Sequence, residues 1–162
     1  MNARLTHLDD AGHARVVDVS AKPVTARQAR AEGYVRCSQT VLDLLSAGGL
    51  PKGDALAVAR IAGLQAAKRT PDLVPLAHPV AVHAVEVDIV PVSTPELTGV
   101  HITAAVRTAD RTGIEMEALT CVAVAGLTFV DMVKAVDKRT VLEGVRVTAK
   151  SGGRSGDWTV DE

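Results

Sequence analysis

Aromatic side chains are nearly missing from this 162-residue chain: Tyr34, Phe129 and Trp158 make up 2% of it. Binders of single-stranded nucleic acid stack bases on aromatic rings, and sequence-independent binders need net positive charge. The chain has neither, since 18 Lys and Arg face 19 Asp and Glu for a net charge of −1. Nucleic acid is therefore not an expected partner. Cysteine is equally sparse. Cys37 and Cys121 are far apart with no C-x-x-C spacing, which reads as two reduced small hydrophobes in a cytosolic protein. The N-terminus MNARLTHLDDAGHARVVDVS lacks the apolar run of a signal peptide, and no stretch reads as long enough for a membrane helix. These absences predict a cytoplasmic chain with no membrane contact.

What is present is aliphatic. Hydrophobic residues reach 47%, so with few aromatics the core must be Val, Leu, Ile and Ala. A chain of this length suits one domain burying roughly 70% of its unfolded surface. Residues 1–22 read as an N-terminal arm with a strand-like piece at Arg15–Val19, residues 23–150 as the domain, and 151–162 as a glycine-rich tail. Within the domain, Thr25–Ala31 reads as a helical turn, Tyr34–Gln39 as a strand and Thr40–Ala47 as a short helix stopped by Gly48 and Gly49. Asp54 is placed to cap the next helix, which is apolar almost all round and ends before Thr70-Pro71. A helix with no polar side must be covered on all sides, which suggests a partner subunit. TPDLVPLAHPV is a proline-punctuated loop. VAVHAVEVDIVPV alternates as a strand, LTGVHITAAVRTA is its antiparallel neighbour, and TVLEGVRVTAK is a final strand. The order predicts an α+β, ferredoxin-like sandwich: an antiparallel sheet with helices on one face and the open face covered by oligomerisation.

The stretch Thr112–Arg139 holds the centre. No charge interrupts it between Glu117 and Asp131, so it reads as a buried helix. Thr112 and Glu115 have capping-box spacing, and Lys134, Lys138 and Arg139 lie where a helix end favours cations. Glu117, Thr120, Val124, Thr128, Asp131, Lys134 and Lys138 follow at steps of three or four and share one face. That stripe is either a solvated surface with an Asp131–Lys134 ion pair or the wall of a groove. Glu117 and Asp131 would stand about 21 Å apart on one helix. A single small reacting group cannot touch both, so the ligand is long or two copies each supply one end.

Other candidates divide similarly between surface and site. Lys52, just before a helix start, is either solvated or a phosphate contact. Lys68 and Arg69 suit a helix C-terminus without further purpose. His78, in a loop and followed by proline, could move a proton near neutral pH. His78 and His83 would point to opposite faces of a strand and no cysteine joins them, so neither a metal nor another cofactor is expected. The tail from Lys150, KSGGRSGD, is either a flexible end or a wrap for phosphate oxygens. The set suits a small phosphorylated substrate undergoing proton transfers.

The motifs LTHLD, VDVSAK, KGD, ARIAGLQAAKRT, LVPLAHP, GIEMEALT, DMVKAV and KSGGRSG run in order from Leu5 to Gly156. In these blocks the chain resembles the cyclic pyranopterin monophosphate synthase (MoaC) family. The resemblance implies a lyase of molybdenum cofactor biosynthesis, a homohexamer built as a trimer of dimers, and active sites at subunit interfaces. It implies conversion of 3′,8-cyclo-7,8-dihydroguanosine 5′-triphosphate to cyclic pyranopterin monophosphate with release of diphosphate. By the same resemblance Asp131 is the catalytic acid/base, and Lys134 and Lys52 are catalytic lysines of the active site. Leu76, Ala77, His78, Glu115, Met116, Glu117 and Lys150 line the substrate, and the tail contributes to the site. Two departures stand out: Ala77 where LCHP is common, and Arg154 where lysine is common. A rival expectation is a non-catalytic ferredoxin-like module that binds a phosphorylated ligand.

Overall fold

A computed structural model describes residues 8, 9, 11–153 and 156–160. Its elements are β1 (Thr25–Arg36), α1 (Gln39–Ala47), α2 (Ala55–Ala67), α3 (Thr70–Leu73), β2 (Ala84–Ser93), β3 (Thr98–Asp110), α4 (Glu115–Val133), β4 (Val141–Ser151) and β5 (Trp158–Thr159). The strands form one sheet in the order β2-β3-β1-β4-β5, antiparallel at every named pairing. This is the expected α+β sandwich with ferredoxin-like strand order.

Alternation in the strands decides which face the helices cover. Ala29, Ala31 and Val35 of β1 are buried with Val100, Ile102, Ala104 and Val106 of β3. Between them, Arg30, Glu32, Tyr34 and His101 point to the open face, where the Tyr34 and His101 rings stack at 4.4 Å. The sequence reading of Thr25–Ala31 as helix is overturned: β1 begins at Thr25 and ends at Arg36, before the predicted Gln39. Ala, Arg and Gln are good helix formers, but tertiary burial of every second small residue outweighs that preference. The piece Arg15–Val19 forms no strand, and the arm's isolated bridge is Leu8–Ala14. Pro91 is tolerated because β2 is an edge strand.

The helical turns follow local chemistry. Asp54 caps α2 by accepting from the Ala57 N–H at 2.9 Å, and Gly48 ends α1 in the left-handed region at φ 66°. The loop predicted from Thr70 contains the short helix α3, whose Thr70 is fully buried. The predicted capping box is not formed: Ile114 occupies the N-cap of α4 and no side chain caps it. Glu115 turns instead to Lys150. On length and composition alone α4 could cross a membrane, at 19 residues and mean hydropathy 1.7, contrary to the sequence reading. Here it is the core helix, with Ala118, Cys121, Val122, Ala125, Phe129 and Val133 all fully buried.

Glycines set how closely the layers approach. A Cβ on Gly33 would lie 2.8 Å from Val122 Cγ1, so α4 rests on β1 where β1 has no side chain. A Cβ on Gly63 would lie 3.0 Å from the Cys121 carbonyl oxygen, which brings α2 against α4.

Candidate active site

Gly63 and Cys121 lie near the middles of their helices, while Lys52, just before α2, meets Asp131 in the last turn of α4. The two helices are therefore antiparallel, and the loop entering α2 hangs over the C-terminal end of α4. That loop is fixed by buried Leu50, by the Gly53 N–H donating to the Leu50 carbonyl and by the Asp54 cap. Asp131 Oδ2 accepts from Lys52 Nζ at 2.6 Å and Oδ1 from Lys134 Nζ at 2.7 Å. Each carboxylate oxygen thus has its own ammonium donor, one local and one from 79 residues away. The side chains are 41% (Lys52), 51% (Asp131) and 59% (Lys134) exposed, so the trio stands at a rim open to solvent. Hydrogen bonds from Lys134 and then Lys52 hold the Asp131 carboxyl down at about 2. Asp131 is ionised at any physiological pH and presents a proton acceptor flanked by two donors.

A second cluster gathers at the other end of α4. Lys150 Nζ stands 3.0 Å from Glu115 Oε1. Lys150 reaches it because β4 carries a bulge: Ala31 pairs with Val147 while Arg30 pairs with Ala149. The extra residue, Thr148, turns Lys150 from the open face to the helix face. Arg27, Gly113, Glu115, Lys150 and Gly152 line a small cavity of about 60 Å³. Arg27 falls in the stretch whose sequence predicts a helical turn, which hides it as a neighbour of this cavity. Reading β1 as alternating would have set it beside β3, where its Nε donates to the Asp110 carbonyl at 2.9 Å.

The remaining candidates are dispersed. Met116 is 40% exposed, whereas Glu117 next to it is 3% exposed. Burial, aided by the negative charge of Glu115, raises the Glu117 carboxyl above its ordinary value. Leu76, Ala77 and His78 lie on the loop after α3. His78 Nε2 is 2.6 Å from the Val17 carbonyl oxygen, so that nitrogen carries the proton it donates, and it fastens the N-terminal arm to this loop. Lys68 is the C-cap of α2. The tail contributes β5, paired to β4, and Gly152 N–H donates to Asp157 Oδ1 at 2.9 Å. Arg154 lies outside the described residues. A wider concavity, about 810 Å³, is on the open sheet face between Arg30, Glu32, Asp88 and Arg146. No member of either charged cluster lines it.

One chain therefore assembles Lys52–Asp131–Lys134 and, separately, Glu115–Lys150. Sixteen residues of helix separate Glu115 from Asp131, about 24 Å at the helical rise.

The chain is similar to known proteins along nearly its whole length. The MoaC family model matches residues 16–153. The chain is 62% identical over 156 residues to a cyclic pyranopterin monophosphate synthase of Streptomyces coelicolor, covering 96% of this chain and 89% of that one. It is 59% identical over 156 residues to the protein of that name from Nocardioides sp., covering 96% and 95%. Cyclic pyranopterin monophosphate synthase 2 of Mycobacterium tuberculosis is 52% identical over 158 residues, covering 98% and 92%. On these matches, which span nearly its whole length, the chain belongs to the MoaC family.

Proposed function

We propose that this chain is a cyclic pyranopterin monophosphate synthase, a lyase of molybdenum cofactor biosynthesis acting in the cytoplasm. It converts 3′,8-cyclo-7,8-dihydroguanosine 5′-triphosphate to cyclic pyranopterin monophosphate and diphosphate. The observation that carries the reading is the Asp131 carboxylate held between Lys52 and Lys134 at a rim, in a chain of this family. The two ammonium groups neutralise the triphosphate and the departing diphosphate. As phosphate oxygens draw Lys52 and Lys134 away, the clamp on Asp131 loosens and its affinity for a proton rises. The carboxylate then takes a proton during purine ring opening, and a lysine ammonium supplies one. Glu115, Lys150, Met116, Glu117 and the loop residues Leu76, Ala77 and His78 form the opposite wall of the pocket.

Because about 24 Å of helix separates the two clusters, each pocket takes one cluster from each of two copies. The assembly is a homohexamer, a trimer of dimers, with residues 1–22 as an arm, 23–150 as the catalytic domain and 151–162 as a tail closing the site. The test is to incubate the purified chain with the cyclic dihydroguanosine triphosphate and assay diphosphate and pterin. Turnover by wild type and none by a folded Asp131→Ala is the expected result. Near-normal product from that variant would defeat the assignment. So would phosphorylated-ligand binding that needs Lys52 but not Asp131, with no product formed.

A further inference from the structure

Asp137 lies three residues beyond Lys134 and is a charged side chain that no catalytic role explains. It is only 9% exposed. Its Oδ2 accepts from the Ser38 N–H at 2.8 Å and its Oδ1 from the Arg139 N–H at 2.9 Å. Its own backbone is held too, with its N–H donating to the Val133 carbonyl at 3.0 Å and its carbonyl accepting from Thr140 Oγ1 at 2.8 Å. The turn after α4 is thus closed around this one residue. Ser38 is the residue from which α1 springs, and α1 leads directly into the loop that carries Lys52. Among the described residues, two side-chain hydrogen bonds join the segment 37–54 to α4 and its exit turn. One is Lys52–Asp131 itself and the other is Asp137–Ser38.

We infer that Asp137 is a positioning residue for the reaction, setting both cations on Asp131 at once. Through the turn it fixes the backbone three residues after Lys134. Through Ser38 it fixes the start of the segment whose far end presents Lys52. No substrate atom need touch it. Two rigid backbone donors hold the carboxylate, which makes it a fixed joint, unlike the exposed lysine contacts it supports. The inference rests on the proposed function for its kinetic consequence alone, since the geometry of the clamp can be read without turnover.

The test therefore has two arms on the full-length protein. Asp137→Asn, which keeps the shape but can accept only one of the two N–H bonds well, is compared with Ser38→Pro. The latter removes the donor at the other end of the same link, at a φ of −73° that proline adopts. Thr140→Val, which breaks only the hydroxyl bond in the same turn, is the control for ordinary loss of stability. Carboxyl carbon NMR follows Asp131 between pH 5 and 3. In wild type and Thr140→Val it stays ionised, as befits a group held at about 2, while in the two link variants it titrates toward the ordinary 3.8. With the triphosphate substrate, kcat should fall about 10²-fold in the link variants, as for a displaced reacting group, with KM changing much less. An unmoved Asp131 titration in folded Asp137→Asn and Ser38→Pro would overturn the inference, as would a kcat loss matched by Thr140→Val. A wild type that released no diphosphate would remove the proposed function, and the titration would still decide the role of Asp137.

Discussion

Glu117 and Asp131 are carboxylates on one helix whose protons are held in opposite senses. Two ammonium groups keep Asp131 ionised at a solvent-open rim. Burial penalises the charge on Glu117, 3% exposed in the same chain. A raised folded value means that the folded protein binds this proton more tightly than the unfolded chain. The stability it contributes is full below the ordinary value of 4.5 and is lost as pH rises through the raised value. Glu117→Gln mimics the protonated form. It should raise stability at pH 8 by on the order of 1 kcal/mol, the usual size for a poorly compensated buried polar group. That corresponds to about 2–4 °C in a chain of this length. The gain should vanish below pH 4, and thermal melts at the two pH values check it; a larger gain in acid would refute it. The helical spacing revealed that these residues share a stripe, and the Asp131–Lys134 pair with it. Spacing could not reveal that the stripe runs from a covered end at Glu117 and Thr120 to an open end at Asp131. Coverage there comes from chain distant in sequence, as does Lys52.

At the scale of elements, small residues place the helices, and two glycines separate the reasons. Gly63 faces backbone: an added Cβ would meet the Cys121 carbonyl oxygen at 3.0 Å and Ala125 Cβ at 3.2 Å. Gly126 faces the tip of a side chain, Leu142 Cδ1 at 2.5 Å, which can turn aside. Both substitutions to Ala gain about 1 kcal/mol of helix propensity. In Gly63→Ala that gain is overtaken by separating α2 from α4, so a net loss of about 1–3 kcal/mol is expected. Gly126→Ala should stay within about 1 kcal/mol of wild type, the propensity gain offsetting the shift of Leu142. Urea midpoints of the two variants give the comparison, and equal losses would show that packing against backbone is not special here. The same close approach explains why β1 was misread. Ala29 and Ala31 look helical as residues, and only the helix lying on them makes small residues right for a strand. The bulge at Thr148 was equally hidden. TVLEGVRVTAK is legible as a strand, but the extra residue that turns Lys150 toward Glu115 depends on pairing with β1. By contrast, the Gly48 stop, the Asp54 cap and the β2–β3 pair rest on local chemistry and were legible in the sequence.

For the whole molecule, the governing fact is that α4 is about 24 Å long between its two charged clusters, with one cluster at each end. Apolar side chains on the helical layer also remain uncovered in a single copy: Val58 is 42% exposed, Ile61 56% and Leu127 63%. If one pocket joins the Lys52–Asp131–Lys134 end of one copy to the Glu115–Lys150 end of another, two inactive variants can repair each other. Asp131→Ala leaves the Glu115 end intact, and Glu115→Ala leaves the Asp131 end intact. Neither variant should turn over alone. After unfolding and refolding as an equal mixture, a pocket is whole only when the Asp131 cluster comes from the Glu115→Ala chain and the Glu115 cluster from the Asp131→Ala chain. Random pairing across such an interface gives about a quarter of pockets both ends intact, so about a quarter of wild-type turnover should return. Mixing the native assemblies without refolding should restore nothing until subunits exchange. Were both ends to serve one pocket within a single chain, every pocket in the refolded mixture would carry a lesion and no activity would appear.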